Sequence, residues 1–269
     1  MGLPCPVQWL LQLPCANLNA VTTVLHFCGK QAEGFDDVSL IYRKPSSAMR
    51  NEPDTPPQAR PRVIDKIQLA LSTGRRIDGI WVGSYRTPEH LTRIESALLL
   101  IKQHSPVHYS RIIGDLERVW IFLLPHGLAE YRHSLRACVL DERYVADSST
   151  SVERIASTII HEATHAKLER CGIRYKEELR AGIEAVCVRR ELAFAARLPD
   201  SAQLREELAQ HLSWYQANPE YFRDAQFLER QTNGETEVLR HIGAPDWLIR
   251  AMPTLQAMIG RVRRLFRIA

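Results

Sequence analysis

Two histidines and a glutamate in one short segment are the residues of this chain best suited to chemistry. The segment 157–169, STIIHEATHAKLE, places His161, Glu162 and His165 in the pattern His-Glu-x-x-His. On an α-helix, side chains four residues apart share a face, so both imidazoles can bind one zinc ion. Glu162, the residue after His161 on the same helix, can reach a water molecule bound to that ion. The pattern predicts a metal site with a general base; the alternative is a helix whose two histidines bind nothing.

Flanking residues predict that this pattern lies on a helix. Thr150 and Glu153 have the spacing of a capping box, and Gly172 is placed to end the helix. Between these limits, apolar residues recur on one side, as expected for a helix packed against a core. The residues of this apolar side are Val152, Ile155, Ala156, Ile159, Ile160 and Ala163.

The segment resembles the zincin metallopeptidases, and the resemblance extends from residue 137 to the helix after Gly172. It implies a zincin-like fold, in which an exposed strand before the motif helix binds extended peptide along its edge. The stretch ACVLDERYV, residues 137–145, would be that strand, and an ordinary sheet strand is an equally good interpretation. The resemblance also implies one zinc ion per chain and a peptide or protein substrate.

The third metal ligand separates the branches of that family. Metzincins continue the motif with a glycine and a histidine, where this chain has Leu168 and Cys171. We expect Cys171 to be a small buried residue rather than a ligand. Gluzincins take a glutamate from the next helix, and thermolysin-like members orient a ligand histidine with an aspartate four residues later, where this chain has Val188. The resemblance is therefore to a reduced, minigluzincin-like member whose histidine-orienting partner is unassigned.

Glu184 is the residue that we predict as the third ligand. It is the only polar side chain between Arg180 and Arg189, and a lone ionised carboxylate in apolar surroundings costs several kcal/mol unless it is paired or binds a cation. Gly182 would let its helix approach the motif helix closely. The alternative is a salt bridge from Glu184 to a buried basic residue. The other acidic candidates, Glu177 and Glu178, lie among charged residues.

Further side chains are candidates for a donor that stabilises the transition state, a role implied by the resemblance. No motif selects one of them, and each is also explained as a structural residue. They are Tyr175, Tyr215, Tyr221, His211 and His241. His126 and His133 flank an expected turn, and we predict that they are surface residues.

The remaining patterns predict an α+β fold with a small, mostly antiparallel sheet and a largely helical C-terminal half that begins with the motif helix. Helices are expected over 63–74 and 87–106, and strands over 77–85 and 118–125. The second helix is predicted from a cap at Thr87 and an apolar stripe of Leu91, Ile94, Leu98 and Ile101. After Thr150, breaks are expected near 172, 199, 218–219, 233–234 and 244–245.

Composition limits the class of protein. The chain has 269 residues, a net charge of +4 and six cysteines without a Cys-x-x-Cys pair, which favours reduced thiols and a cytoplasmic location. No apolar stretch is long enough to span a bilayer, and the first thirty residues make a poor signal peptide. A proline-rich segment over 43–62 predicts a linker, so residues 1–62 form an appendage and 63–269 the zincin-like domain.

These patterns favour a zinc-dependent metallopeptidase in which His161, His165 and Glu184 hold the metal and Glu162 is the general base. A catalytically weak zincin-fold protein with a binding or regulatory role is the alternative. Its support is the arginine-rich segment 258–269, which could bind an anionic membrane or nucleic acid but is more simply a solvated helix face. A third possibility is a helical protein without metal.

Overall fold

A computed structural model describes residues 61–251. The expected appendage, with its proline-rich linker up to residue 60, lies outside the described residues. So does the arginine-rich segment 258–269. The domain boundary at residue 62 therefore stays a prediction.

One five-stranded sheet forms the centre of the described part of the chain. Its strands are β1 (Thr73–Ile77), β2 (Ile80–Ser84), β3 (Arg118–Phe122), β4 (Ala129–Arg132) and β5 (Ala137–Asp141), in the order β1-β2-β3-β5-β4. β1 and β4 run antiparallel to their neighbours, whereas β2, β3 and β5 run parallel to one another. The α+β class is thus confirmed, but the sheet is mixed rather than mostly antiparallel.

Helices make up most of the remainder, and the largely helical C-terminal half is confirmed over the described residues. They are α1 (Val63–Ala70), α2 (Leu91–His104), α3 (Pro106–Asp115), α4 (Glu142–Ala146), α5 (Val152–Arg170), α6 (Glu177–Ala195), α7 (Ala202–Ala217) and α8 (Asp224–His241). Short 3-10 turns cover Pro88–His90, His133–Leu135 and Pro219–Phe222. None of the helices described in the structure has the length and apolar character needed to cross a bilayer.

The expected exposed strand over 137–145 is wrong in two respects. Only Ala137–Asp141 is extended, every residue of it is buried, and it lies inside the sheet between β3 and β4. The Asp141 side chain then accepts hydrogen bonds from the backbone N–H groups of Arg143 and Tyr144, which starts α4. β4, whose side chains are all half-buried, takes the edge position instead.

Two predicted helix caps differ from the structure. Thr87 makes no capping hydrogen bond; a 3-10 turn over Pro88–His90 precedes α2, although the predicted apolar stripe of α2 is buried. Ser151, not Thr150, caps α5 by accepting from Arg154 N. Thr150 is buried at this position, so its neighbour provides the cap. The predicted glycine end of α5 is confirmed, since Gly172 has a φ of +82°.

The two glycines that sequence patterns singled out on later helices both differ from their predicted roles. α8 continues through the expected break at 233–234, and a Cβ on Gly234 would lie 1.3 Å from the carbonyl oxygen of Pro125. Gly234 therefore allows close packing of α8 on the Pro125–His126 backbone. A Cβ on Gly182 would meet nothing within 4 Å, so the predicted close approach of helices at Gly182 is wrong.

α5 lies at the centre of the packing that positions the motif. One side of it packs with α2 and α3 in the main apolar core, where Ile155, Ile159 and Ile160 are buried. It also contacts α6 and the edge strand β4. The motif side chains therefore lie where α5, α6 and β4 meet, on helices held by the core on their other side.

Candidate metal centre

Three of the predicted site residues meet between α5 and α6. Oε2 of Glu184 lies 3.1 Å from Nε2 of His161, and Oε1 of Glu184 lies 3.5 Å from Nε2 of His165. The two imidazole rings are 5.0 Å apart, centroid to centroid. The imidazole nitrogens of α5 and a carboxylate of α6 thus face one another, as the spacing of the motif predicted.

The donor set fits a tetrahedral zinc ion. Ligand atoms bound at about 2.0–2.1 Å in a tetrahedron lie about 3.3 Å from each other. Nε2 of His161 lies 3.1 Å from one Glu184 oxygen and Nε2 of His165 lies 3.5 Å from the other, so both distances are close to that value but involve different oxygens of the carboxylate. Two imidazoles and one carboxylate also match the ligands of catalytic zinc sites, which keep a fourth position for water.

Electrostatics at this cluster would also suit a cation. Although burial opposes ionisation, the hydrogen bond from His161 and its charge hold the pKa of Glu184 at about 2. Burial lowers the pKa of His165 to about 4, so this imidazole is neutral, the form that binds metal. Burial also opposes the charged form of His161, but the Glu191 and Glu184 carboxylates raise its pKa above the ordinary value. Protonated His161 therefore donates to the carboxylates of both Glu184 and Glu191. A metal ion bound at this position would neutralise Glu184 in place of that proton.

Glu191 is the partner of His161 that the sequence left unassigned. Its Oε1 lies 2.6 Å from Nδ1 of His161, and its Oε2 accepts a hydrogen bond from the Ser157 hydroxyl at 2.7 Å. Glu191 is two helical turns beyond Glu184, so the two carboxylates share one face of α6. That seven-residue spacing was visible in the sequence, but Glu191 follows two arginines and resembles a surface residue there.

Glu162 is buried beside the cluster, with 5% of its surface exposed, and it lines the same cavity as both histidines. Burial raises the pKa of its carboxyl to about 8. A carboxyl group with such a pKa can both take up and release a proton near neutral pH. Its position beside the cluster therefore suits proton transfer.

Cys187 offers a different third ligand. Its Sγ and the nitrogens of His161 and His165 all lie within 4.8 Å of one another, which is close enough to hold a metal ion. Cys187 is completely buried, however, in an apolar cluster with Leu168 and Ile183, and burial raises the pKa of its thiol well above the ordinary value. A thiolate is required for binding, so the ionised Glu184 is the better ligand.

The other candidate residues are distributed around this centre. Tyr175 donates a hydrogen bond to Oε1 of Glu184 at 2.6 Å. His211, Tyr215 and Tyr221 line the cavity, whereas His241 lies elsewhere, near Glu142. Glu177 and Glu178 are exposed in the first turn of α6, away from the cluster.

Three predictions about the remaining residues are wrong. Cys171 is exposed, not buried, because α5 ends at the surface. His126 and His133 line the cavity instead of lying at the free surface. Both flank β4, and its edge position brings them to the cavity, with His133 Nδ1 2.7 Å from a Glu169 carboxylate oxygen.

The cavity is an open cleft of about 620 Å³, bounded by α5 and α6, by α7, by the start of α8 and by β4. Within residues 61–251, β4 pairs with β5 alone, so its other edge is unpaired. Residues Ala129, Glu130 and Tyr131 of β4 line the cleft together with His161 and Glu162. The metal centre thus lies on the floor of a cleft that has a strand along one side.

Comparison of the chain with protein-family models, with curated proteins and with solved structures gave no match in any of the three. Conclusions about function therefore rest on the geometry of this centre and on the cleft around it.

Proposed function

We propose that this chain is a zinc-dependent metallopeptidase of gluzincin type. The observation that carries the proposal is the convergence of His161, His165 and Glu184, from two helices, beside a buried Glu162 in an open cleft. A structural zinc site is closed by four protein ligands and has no use for a general base. Here three ligands leave a position open, and a carboxyl group lies next to it.

In this mechanism each residue has a separate task. His161, His165 and Glu184 would hold the zinc ion, which when bound lowers the pKa of a water molecule and polarises a carbonyl group. Glu162 would take a proton from the attacking water molecule and pass it to the leaving amine. Glu191 accepts from Nδ1 of His161, which leaves Nε2 of the ring free to face the centre.

The unpaired edge of β4 supports a peptide as the substrate. An extended peptide can add to the edge of a sheet through main-chain hydrogen bonds, while neighbouring pockets select side chains. β4 lines the same cleft as the metal centre, so a peptide paired with it would pass the catalytic residues. The substrate-binding strand, first expected over 137–145, is therefore proposed to be β4 of a zincin-like fold.

The binding or regulatory alternative has less support. Its basis, the segment 258–269, lies outside the described residues. A buried carboxyl beside an incomplete ligand set is costly, and a protein that only binds partners gains nothing from it. The cytoplasmic location also stays a prediction.

The test combines metal content with turnover. Purified wild-type protein should contain about one zinc ion per chain, and His161→Ala and His165→Ala should remove it. Glu162→Gln should keep the zinc and the fold but lose peptide cleavage, because the amide cannot accept a proton from water. Protein that binds no zinc, or a Glu162→Gln variant with wild-type turnover, would contradict the proposal.

A further inference from the structure

One end of the cleft contains buried nitrogen atoms that have no hydrogen-bond partner within residues 61–251. They are Nδ1 of His126, Nε of Arg180 and Nη1 of Arg230. All three side chains line the same cleft as the metal centre. Buried polar groups in proteins are nearly always hydrogen-bonded, so three unpartnered nitrogens in one place indicate a ligand that supplies acceptors.

Phe227 and the Pro125–His126 backbone bring these groups to one end of the cleft. The Phe227 ring packs edge-on against His126 at 5.0 Å, and the Arg180 guanidinium lies 5.6 Å from the centre of the same ring. Arg230 is four residues before Gly234, the residue at which α8 touches Pro125, so Arg230 lies on the side of α8 that faces His126.

Charge at this end of the cleft is unbalanced. Arg180 has a partner, since its Nη2 lies 2.6 Å from Asp224 Oδ1 and its Nη1 donates to the carbonyl of Phe222. The Arg230 guanidinium lies 3.7 Å above the Tyr221 ring, and over the described residues it forms neither an ion pair nor a hydrogen bond. A guanidinium held over an aromatic ring keeps its N–H edges available for a planar anion.

Nearby acidic side chains are engaged with other groups. Glu130 accepts two hydrogen bonds from Arg132 on β4. Glu235 accepts from Gln231 and has a further partner. Their charges lie close enough to act on His126, but neither carboxylate reaches Arg230. The position in front of Arg230 is therefore suited to an anion that residues 61–251 do not provide.

We infer that His126, Arg180 and Arg230 form a subsite that binds a carboxylate of a peptide substrate. The inference rests on the proposed peptidase function and adds its substrate class. His126 directly precedes the loop into β4, so this carboxylate subsite lies at the beginning of that strand. A peptide paired antiparallel to β4 has its C-terminal side there, beyond the bond to be cleaved. The carboxylate is either the end of the peptide chain or an Asp or Glu side chain on that side.

Peptide binding to the full-length Glu162→Gln protein tests the subsite without turnover. The probes are fluorescein-labelled hexapeptide pools without Asp or Glu, one with a free C-terminal carboxylate and one amidated. A second, amidated pair contains a single Glu or a single Gln. Fluorescence anisotropy gives the affinity for each pool. We expect one of the two carboxylate pools to bind about tenfold more tightly than its neutral counterpart.

Variants at Arg230 show whether the subsite causes that preference. Arg230→Gln should reduce it to about twofold or less, and Arg230→Lys should retain part of it. Arg240→Gln, on the exposed side of the same helix, is the matched control and should retain all of it. Circular dichroism checks the fold of each variant. If Arg230→Gln is unfolded, the carboxylate preference of Arg230→Lys is compared with that of the Glu162→Gln protein without a substitution at Arg230. A smaller preference in Arg230→Lys then supports the subsite, and an equal one contradicts it.

The outcomes separate the subsite from the peptidase proposal. A preference for the free terminus assigns the subsite to chain ends, and a preference for Glu assigns it to acidic side chains. Equal affinities within both pairs, no binding to any pool, or a preference unchanged in Arg230→Gln would overturn the inference. If wild-type protein cleaves none of the pools but the preference remains, the peptidase proposal fails alone. Cleavage without any preference removes only the carboxylate subsite.

Discussion

Nδ1 of His161, on α5, lies 2.6 Å from Oε1 of Glu191, on α6. The second oxygen of Glu191 accepts from Ser157, one turn before His161, so this carboxylate is held at both ends by α5. A histidine that binds metal through one nitrogen gains basicity and a fixed ring orientation when its other nitrogen donates to a carboxylate. In the proposed metal site, Glu191 would therefore orient His161 as an aspartate orients a ligand histidine in thermolysin-like proteins, but from one helical turn further along the chain.

Replacement of Glu191 should weaken the metal site without removing a ligand. We expect Glu191→Gln to lower zinc affinity by about 10–100-fold, because the amide holds the His161 ring less strongly. Competition with a chromophoric chelator measures this affinity. Glu177→Gln, at an exposed position on the same helix, is the matched control. Equal zinc affinities for Glu191→Gln and wild type would show that the contact does not support the ligand.

The choice between Glu184 and Cys187 as the third ligand can be tested directly. Glu184→Gln should lower zinc affinity by roughly 100-fold or more, since it removes a direct ligand. Cys187→Ala should leave zinc content unchanged and cost only packing energy in the apolar cluster around it. Metal analysis of both variants, with Glu178→Gln as a control, decides the assignment. If Cys187→Ala loses its zinc and Glu184→Gln keeps it, Cys187 is the third ligand and Glu184 is not.

Local sequence patterns were sufficient to predict that His161, His165 and Glu184 meet, and to predict most helices. The four-residue spacing of His161 and His165 fixes their common face, and Glu184 stands out because its neighbours are apolar. Such signals depend on residues close in sequence. The α+β class followed from the same kind of periodicity, because long apolar stripes are distinctive of helices.

Relationships between distant segments were not predictable in this way. β1 and β4 are short and polar, so neither has the apolar alternation that marks a strand. β4 lies at the edge of the sheet, the position that was expected for 137–145. Glu191 follows two arginines, and only the packing of α6 on α5 turns it towards His161. The unpartnered nitrogens at the end of the cleft depend on three separate segments and leave no local pattern.

Gly234 and Gly182 provide a matched pair for testing the packing of α8. Gly234→Ala should lower the free energy of unfolding by roughly 2–4 kcal/mol, because its Cβ would collide with the Pro125 carbonyl. Gly182→Ala, in an exposed part of α6 with free space around it, should raise it by about 0.5–1 kcal/mol through helix propensity. Urea denaturation measures both. Similar effects of the two substitutions would contradict the close approach at Gly234.

The last prediction concerns pH and a histidine that has no part in the metal centre. His108 is buried, and its Nδ1 lies 2.6 Å from the Ser105 hydroxyl, which itself accepts a hydrogen bond from Arg197. With Arg197 donating to its oxygen, the Ser105 hydroxyl keeps its own hydrogen for Nδ1 of His108, an arrangement that suits the neutral imidazole. Burial, with help from the charge of Arg197, lowers the pKa of His108 to about 4.

Because this pKa is below the value of about 6.5 in the unfolded chain, the unfolded state binds a proton that the folded state excludes between these two values. The resulting stability is fully present above pH 6.5 and is lost as the pH falls towards 4. Between pH 7.5 and 5.0 the free energy of unfolding should fall by about 2 kcal/mol because of His108.

Urea denaturation at both pH values measures this loss. In His108→Gln the fall in the free energy of unfolding should be smaller than in wild type by that amount. His104→Gln, which removes a different imidazole, is the control and should keep the pH dependence of wild type. If the His108→Gln and wild-type proteins lose equal stability between these pH values, His108 takes up its proton as easily in the folded chain as in the unfolded one.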